Sequence, residues 1–122
     1  MSERYLLLIE DEPLILMDLE YAAEDRGYDA LCASSVARAL DLIDNNAAIV
    51  AAVLDVSLRD GENCVPIARE LDRRGIPYVL HSGDLDRQDE VVRNLDGELI
   101  PKPAAASQVI GRAIELGMRD AA

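Results

Sequence analysis

The sequence predicts an α/β fold in which helices cover both faces of a parallel sheet. Three observations carry this. Short apolar runs alternate with segments of helical period along the whole chain, the order expected of βαβ units. The first and third runs are continuously aliphatic, as in strands with no solvent-facing side. Gly27, Gly75 and Gly97 each stand between a helical pattern and the next apolar run, where a left-handed residue can end a helix.

The first strand is Tyr5–Ile9, and Pro13 suits the first turn of the helix that follows. Ile15, Leu19 and Ala22 sit at i, i+4 and i+7 and give that helix an inner face. The second strand, Tyr28–Ala33, mixes Asp29 with small residues and is expected at an edge. Ser34 or Ser35 can cap the second helix, where Val36, Leu40 and Ile43 repeat the spacing of the first. Val50–Asp55 is the third strand. Cys64, Ile67, Ala68 and Leu71 then form the cleanest helical stripe of the chain. Pro77 opens the fourth strand, Tyr78–Ser82, where a missing donor does little harm. A short, weakly patterned fourth helix is expected over Gln88–Leu95, then a fifth strand over Glu98–Ile100. The last helix turns Ile110, Ala113 and Ile114 inward. Five βα units in 122 residues make one domain, expected to fill residues 1–122 with no output domain.

Composition narrows the function. Asp and Glu number 24 against 12 Lys and Arg, a formal net charge of −12, which repels nucleic-acid backbones and anionic lipid. With four Tyr, no Phe and no Trp, the chain offers little on which bases could stack. Direct binding to nucleic acid or membrane is not expected. Cys32 and Cys64 lie far apart, with no CxxC pair or His cluster, and read as small apolar residues in a reducing compartment. The longest apolar run, 47–54, is far below the ~20 residues of a membrane helix, and no signal-like segment opens the chain. A cytoplasmic location is expected.

In open parallel sheets ligands bind beyond the carboxyl ends of the strands. The first strand ends in Glu10-Asp11-Glu12, the third in Asp55, the fourth in Ser82 followed by Gly83, and the fifth beside Lys102. Two unit charges about 4 Å apart repel by about 4 kcal/mol at an effective dielectric of about 20, so gathering these carboxylates calls for a cation. All-oxygen donors suit Mg²⁺, with Mn²⁺ as the alternative. A hard cation with open positions invites a phosphoryl group. Lys102 can neutralise one phosphoryl oxygen, Ser82 can donate to another, and Asp55 is the natural nucleophile. Glu12 reads as a solvated first-turn charge, and Asp86–Glu90 as a solvated helix start. Alternation sends His81 to the face opposite Ser82, for packing or partner contact.

The ordered set of acidic pair, "LD", "S-G" and "PKP" resembles the receiver domain of bacterial two-component response regulators, over essentially the whole chain. The resemblance implies a flavodoxin-like (βα)5 doubly wound sheet with strand order 2-1-3-4-5. It implies that Asp55 accepts a phosphoryl group from a phosphohistidine on a sensor histidine kinase or phosphotransfer protein. Asp11 is then the direct Mg²⁺ ligand, Glu10 helps through water, and Asp55 and the backbone carbonyl of Ser57 complete the protein's share. Ser82 resembles the switch hydroxyl and Lys102 the lysine that pairs with the phosphoryl group. Ser57 and Asp84 match positions that tune hydrolysis of the acyl phosphate.

The chain departs from the family's pattern at three places. Leu99 stands where many receivers carry a switch aromatic, Arg59 replaces a frequent proline, and Ala104 replaces an aromatic that often follows "KP". The run "PYVLHSG" is similar to that of stand-alone receivers of general stress signalling, which lack the switch aromatic. The resemblance implies a phosphoacceptor switch that acts through protein contacts with a downstream partner, from the surface of the fourth helix, fifth strand and fifth helix. It allows a homodimer and a role as phosphate sink or shuttle. The alternative is an interaction module that keeps the fold without the phosphorylation. An enzyme acting on external substrates is not expected: phosphatases with an Asp nucleophile usually place a second acid two residues on, where Ser57 stands.

Overall fold

The computed structural model describes residues 4–58, 61–83 and 90–121. Strands β1 (Tyr5–Ile9), β2 (Asp29–Ala33), β3 (Ile49–Asp55), β4 (Tyr78–Ser82) and β5 (Glu98–Pro101) form one sheet in the order β2-β1-β3-β4-β5, and every pairing is parallel. The expected order 2-1-3-4-5 is the observed one. Between the strands run α1 (Pro13–Asp25), α2 (Val36–Asn45), α3 (Val65–Arg74) and the single turn α4 (Glu90–Arg93). α5 (Ala106–Ala121) follows β5.

Unbroken aliphatic runs become strands here because each face of the sheet has its own core. Alternation along β1 sends Leu7 and Ile9 to one side, with Ala52, Leu54 and Leu80, against α2 and α3. Leu6 and Leu8 go to the other, with Ala51, Val53 and Val79, against α1 and α5. β2 pairs with β1 alone and leaves Asp29 exposed, as its polar composition predicted. β5 pairs only with β4 and closes the opposite edge, its terminal Pro101 costing no central ladder bond.

The helices bury their patterned faces, with two shifts. In α3 the stripe Cys64, Ile67, Ala68 and Leu71 is fully buried as expected. In α2 the deepest residues are Ala39, Leu42 and Ile43, while Val36 and Leu40 are only half-buried. In α1 they are Leu19 and Ala23. Small Ala39 and Ala23 are fully buried beside the longer Leu19 and Ile43. Ser35, of the two candidate serines, caps α2: its Oγ accepts from the Arg38 N–H at 3.3 Å. The short fourth helix is seen as Glu90–Arg93; the expected Gln88 start and charges 86–89 lie outside the described residues.

Gly97 corrects a sequence expectation. Gly27 and Gly75 do take the left-handed conformation, with φ of 83° and 71°, but Gly97 does not. It is glycine because a Cβ there would sit 2.3 Å from the Tyr78 ring, and Tyr78 itself is buried at the start of β4. A Gly97→Ala variant should therefore lose about 1–3 kcal/mol of stability, the usual range for overpacking. Urea unfolding checks this, and an unchanged midpoint would mean that the ring can yield.

Candidate functional site

Strand order converts four distant stretches into one edge. β1 lies beside β3 and β3 beside β4, with Ile9 paired to Leu54 and Asp55 to His81. The residues after Ile9 therefore emerge next to Asp55. At the far side the Lys102 N–H donates to the Ser82 carbonyl at 2.7 Å, which fixes Lys102 just past the end of β4.

The side chains converge accordingly. Glu10, Asp11 and Asp55 each bring a carboxylate oxygen within 4.8 Å of the others. Lys102 Nζ lies 3.3 Å from Asp55 Oδ1 and 3.6 Å from Glu10 Oε1. Glu10 and Asp55 are only 1% and 4% exposed, and Ser82 is fully buried. Both oxygens of Glu10 and the Ser82 hydroxyl have no hydrogen-bond partner among the described residues.

Three carboxylates thus face one ammonium in a largely desolvated site. Burial pushes the Glu10 carboxyl up to about 8, and the Asp55 charge adds to this against the pull of Lys102. Burial also raises the Asp55 carboxyl, although Lys102 opposes it. For Lys102, burial alone would lower the pKa, but Asp55 and Glu10 outweigh it and hold the ammonium protonated. The site is short of positive charge and offers only hard oxygen donors. That donor set, with buried Glu10 oxygens that accept no hydrogen bond among the described residues, fits a divalent cation such as Mg²⁺.

The chain matches no model of a known protein family and no curated protein sequence. Solved structures do match. SdrG from Sphingomonas melonis Fr1 is 35% identical, over 97% of this chain and 99% of its own, with a TM-score of 0.77. A response regulator receiver protein from Sinorhizobium medicae WSM419 is 26% identical over 98% of both chains, with a TM-score of 0.79. The receiver domain of the TMAO respiratory system response regulator TorR is also 26% identical, over 95% of this chain and 98% of its own, with a TM-score of 0.79. This chain belongs to the response regulator receiver family. Membership places it in two-component signalling.

Within this receiver, Glu12 is exposed at the start of α1 and makes no side-chain cap bond. Ser57 is exposed and pairs with Asn63 in an isolated antiparallel bridge. Its side chain is not a member of the carboxylate cluster; its assigned part in metal binding is its backbone carbonyl. Leu99 is half-buried and packs into the core on the α2–α3 side. Arg59 and Asp84 lie outside the described residues. The His81 ring faces away from Ser82 as alternation required and is 4% exposed, so packing describes it and open contact does not. Burial, helped by the Lys102 charge, lowers its pKa.

The residues that sequence reading passed over are those bracing the loop after Asp55. The Leu58 N–H donates to the Glu62 carbonyl at 2.8 Å and Cys64 N–H to the Val56 carbonyl at 3.0 Å. Gly61, with φ of 77°, supplies the left-handed turn between them, and the Glu62 carboxylate accepts from the Val36 N–H at 3.2 Å. The signal was present as "DGEN", a run of turn-forming residues.

The raised carboxyl gives this receiver a signed pH dependence. A carboxyl whose folded pKa exceeds its unfolded value binds its proton more tightly when folded, so its stability is lost as pH rises between the two. For Glu10 that window runs from 4.5 to about 8. His81, lowered from 6.5, gives the opposite slope on the acid side of that value. Without divalent cation, stability should therefore fall between about pH 6.5 and about pH 8, and saturating Mg²⁺ should flatten the slope. Urea midpoints in EDTA and in Mg²⁺ check this; a rise across that interval in EDTA would refute it.

Proposed function

We propose that this receiver is a phosphoacceptor switch: Asp55 takes a phosphoryl group from a phosphohistidine of a sensor histidine kinase or phosphotransfer protein, and the modified domain signals through protein contacts. The observation that carries the reading is the placement of Lys102 Nζ 3.3 Å from Asp55, inside a cluster that includes Glu10 and Asp11. The receiver-family relatives support the same reading.

In this scheme an Asp55 oxygen attacks phosphorus as the P–N bond breaks. The electron pair stays on the donor's imidazole nitrogen, which takes a proton from solvent. Asp11, Asp55 and the Ser57 carbonyl, with Glu10 acting through water, would hold Mg²⁺ or Mn²⁺. The bound ion supplies positive charge for the phosphoryl oxygens. Lys102 keeps its proton and faces the incoming oxygens from the β5 side. The buried Ser82 hydroxyl, unpartnered among the described residues, is available to donate to one of them. Phosphorylation adds about −1.5 to −2 charge, so Lys102 and Ser82 are drawn toward Asp55 and the ends of β4 and β5 carry the change outward. The surface proposed to read it is formed by α4, β5 and α5. The compartment proposed is the cytoplasm.

The test is intact-mass measurement after incubation with a small acyl-phosphate donor, with Mg²⁺ and with EDTA. A single phosphoryl adduct that needs Mg²⁺ and maps to the peptide containing Asp55 is the expected result. An adduct on another peptide, or one indifferent to Mg²⁺, would overturn the assignment.

A further inference from the structure

We propose that the cavity between α1, the end of β4 and the start of α5 is a binding site for a phenol-type ring, an aromatic group carrying one hydroxyl. The cavity lies on the α1–α5 side of the sheet, borders the carboxylate site through Lys102, and measures about 190 Å³. An apolar cavity of about 150 Å³ is enough to take up benzene, so one substituted ring fits this volume. Ile15 and Leu19 of α1 form one wall, and Ala104 and Ala106 the other. The two alanines, small where the loop after β5 meets α5, leave the room.

The polar group is what makes the cavity selective. His81 lines it, is 4% exposed, and has neither ring nitrogen hydrogen-bonded among the described residues. A buried polar group without a partner is costly, and an occupant that bonds to it offsets that cost. Neutral imidazole presents one donor and one acceptor, and a hydroxyl can meet either. Asp18 and Lys102 also line the cavity, an opposite pair that offers no net charge to draw in either a carboxylate or an ammonium. A neutral polar handle on an apolar ring needs neither. The cavity shares Lys102 with the carboxylate site, but the proposal needs no phosphoryl transfer and its test reads binding alone.

The experiment is a titration of the whole chain with 4-methylphenol, followed by NMR of methyl resonances. Shifts confined to Ile15, Leu19, Ala104 and Ala106 are expected. Toluene, which lacks the hydroxyl, should bind about five- to tenfold more weakly, the worth of one hydrogen bond. In His81→Phe that preference should vanish. Ala104→Phe, which fills the cavity, should abolish binding of both probes, with a melt confirming that the variant folds; Ala104→Leu serves if it does not. N-acetyltyrosinamide distinguishes the source: the same shifts with it assign the ring to a tyrosine of a protein partner, whereas shifts with 4-methylphenol alone assign a free small molecule. Absence of shifts with 4-methylphenol, or shifts that persist unchanged in the cavity-filled variant, would overturn the proposal.

Discussion

An Asp55→Asn variant is expected to take up no phosphoryl group and, with divalent cation removed, to be more stable than the wild type. Both results follow from one arrangement. The asparagine amide is not a nucleophile toward phosphorus, so the Mg²⁺-dependent adduct should disappear. In the wild type Asp55 is repelled by Asp11 and attracted by Lys102, both at close range, while Glu10, its carboxyl pushed up to about 8, carries little charge at neutral pH. Each such interaction is worth about 4 kcal/mol near 4 Å at an effective dielectric of about 20. The loss of that attraction offsets the loss of that repulsion, and the burial cost of the Asp55 charge remains to be relieved. A gain of about 1–3 kcal/mol is therefore expected at neutral pH. Saturating Mg²⁺ should shrink or reverse the difference, since a ligand that binds only the native state stabilises the protein that binds it. Urea unfolding in EDTA and in Mg²⁺ measures both limbs. A variant less stable than wild type in EDTA would mean that the Lys102–Asp55 pair, and not the burial of the Asp55 charge, dominates the site.

The largest stability loss is expected from Leu54→Ala. Leu54 is fully buried on the longest strand, paired to Ile9 on one side and Leu80 on the other, with helices closing that face. A central strand cannot shift to fill the void without breaking two ladders, so the cost should reach the usual range for such truncations, about 2–5 kcal/mol. That is a large part of the about 5–15 kcal/mol that holds a domain together. The urea midpoint should fall with the slope unchanged. Leu14→Ala is the control: Leu14 is 74% exposed on α1, and a change within about 0.5 kcal/mol is expected. A loss below about 1 kcal/mol for Leu54→Ala would show that the sheet can repack around it.

The site residues were legible because parallel sheets deliver strand ends to one edge, and Glu10, Asp11, Asp55, Ser82 and Lys102 all follow apolar runs. The α3 stripe was legible for the same local reason, being a property of neighbours three and four apart. What misled was equally local. Gly97 follows a helical segment like Gly27 and Gly75, and only the packing of Tyr78 against it reveals a different cause. The α2 face centres on Ala39, Leu42 and Ile43 rather than on Val36, Leu40 and Ile43, because burial is decided by what packs against the helix and not by its own period.

The sequence by itself determined the alternation of strands and helices, the two-sided burial of the central strands and the residue types that end them, since each depends on spacing within one segment. Only the tertiary structure decided that Glu10 sinks into the site beside Asp55, where burial pushes its carboxyl up to about 8. It also decided that a cavity opens beneath His81. These depend on strand order, register and the distance between segments far apart in the chain, and charge interactions and packing vary too steeply with distance to be read from spacing along one strand.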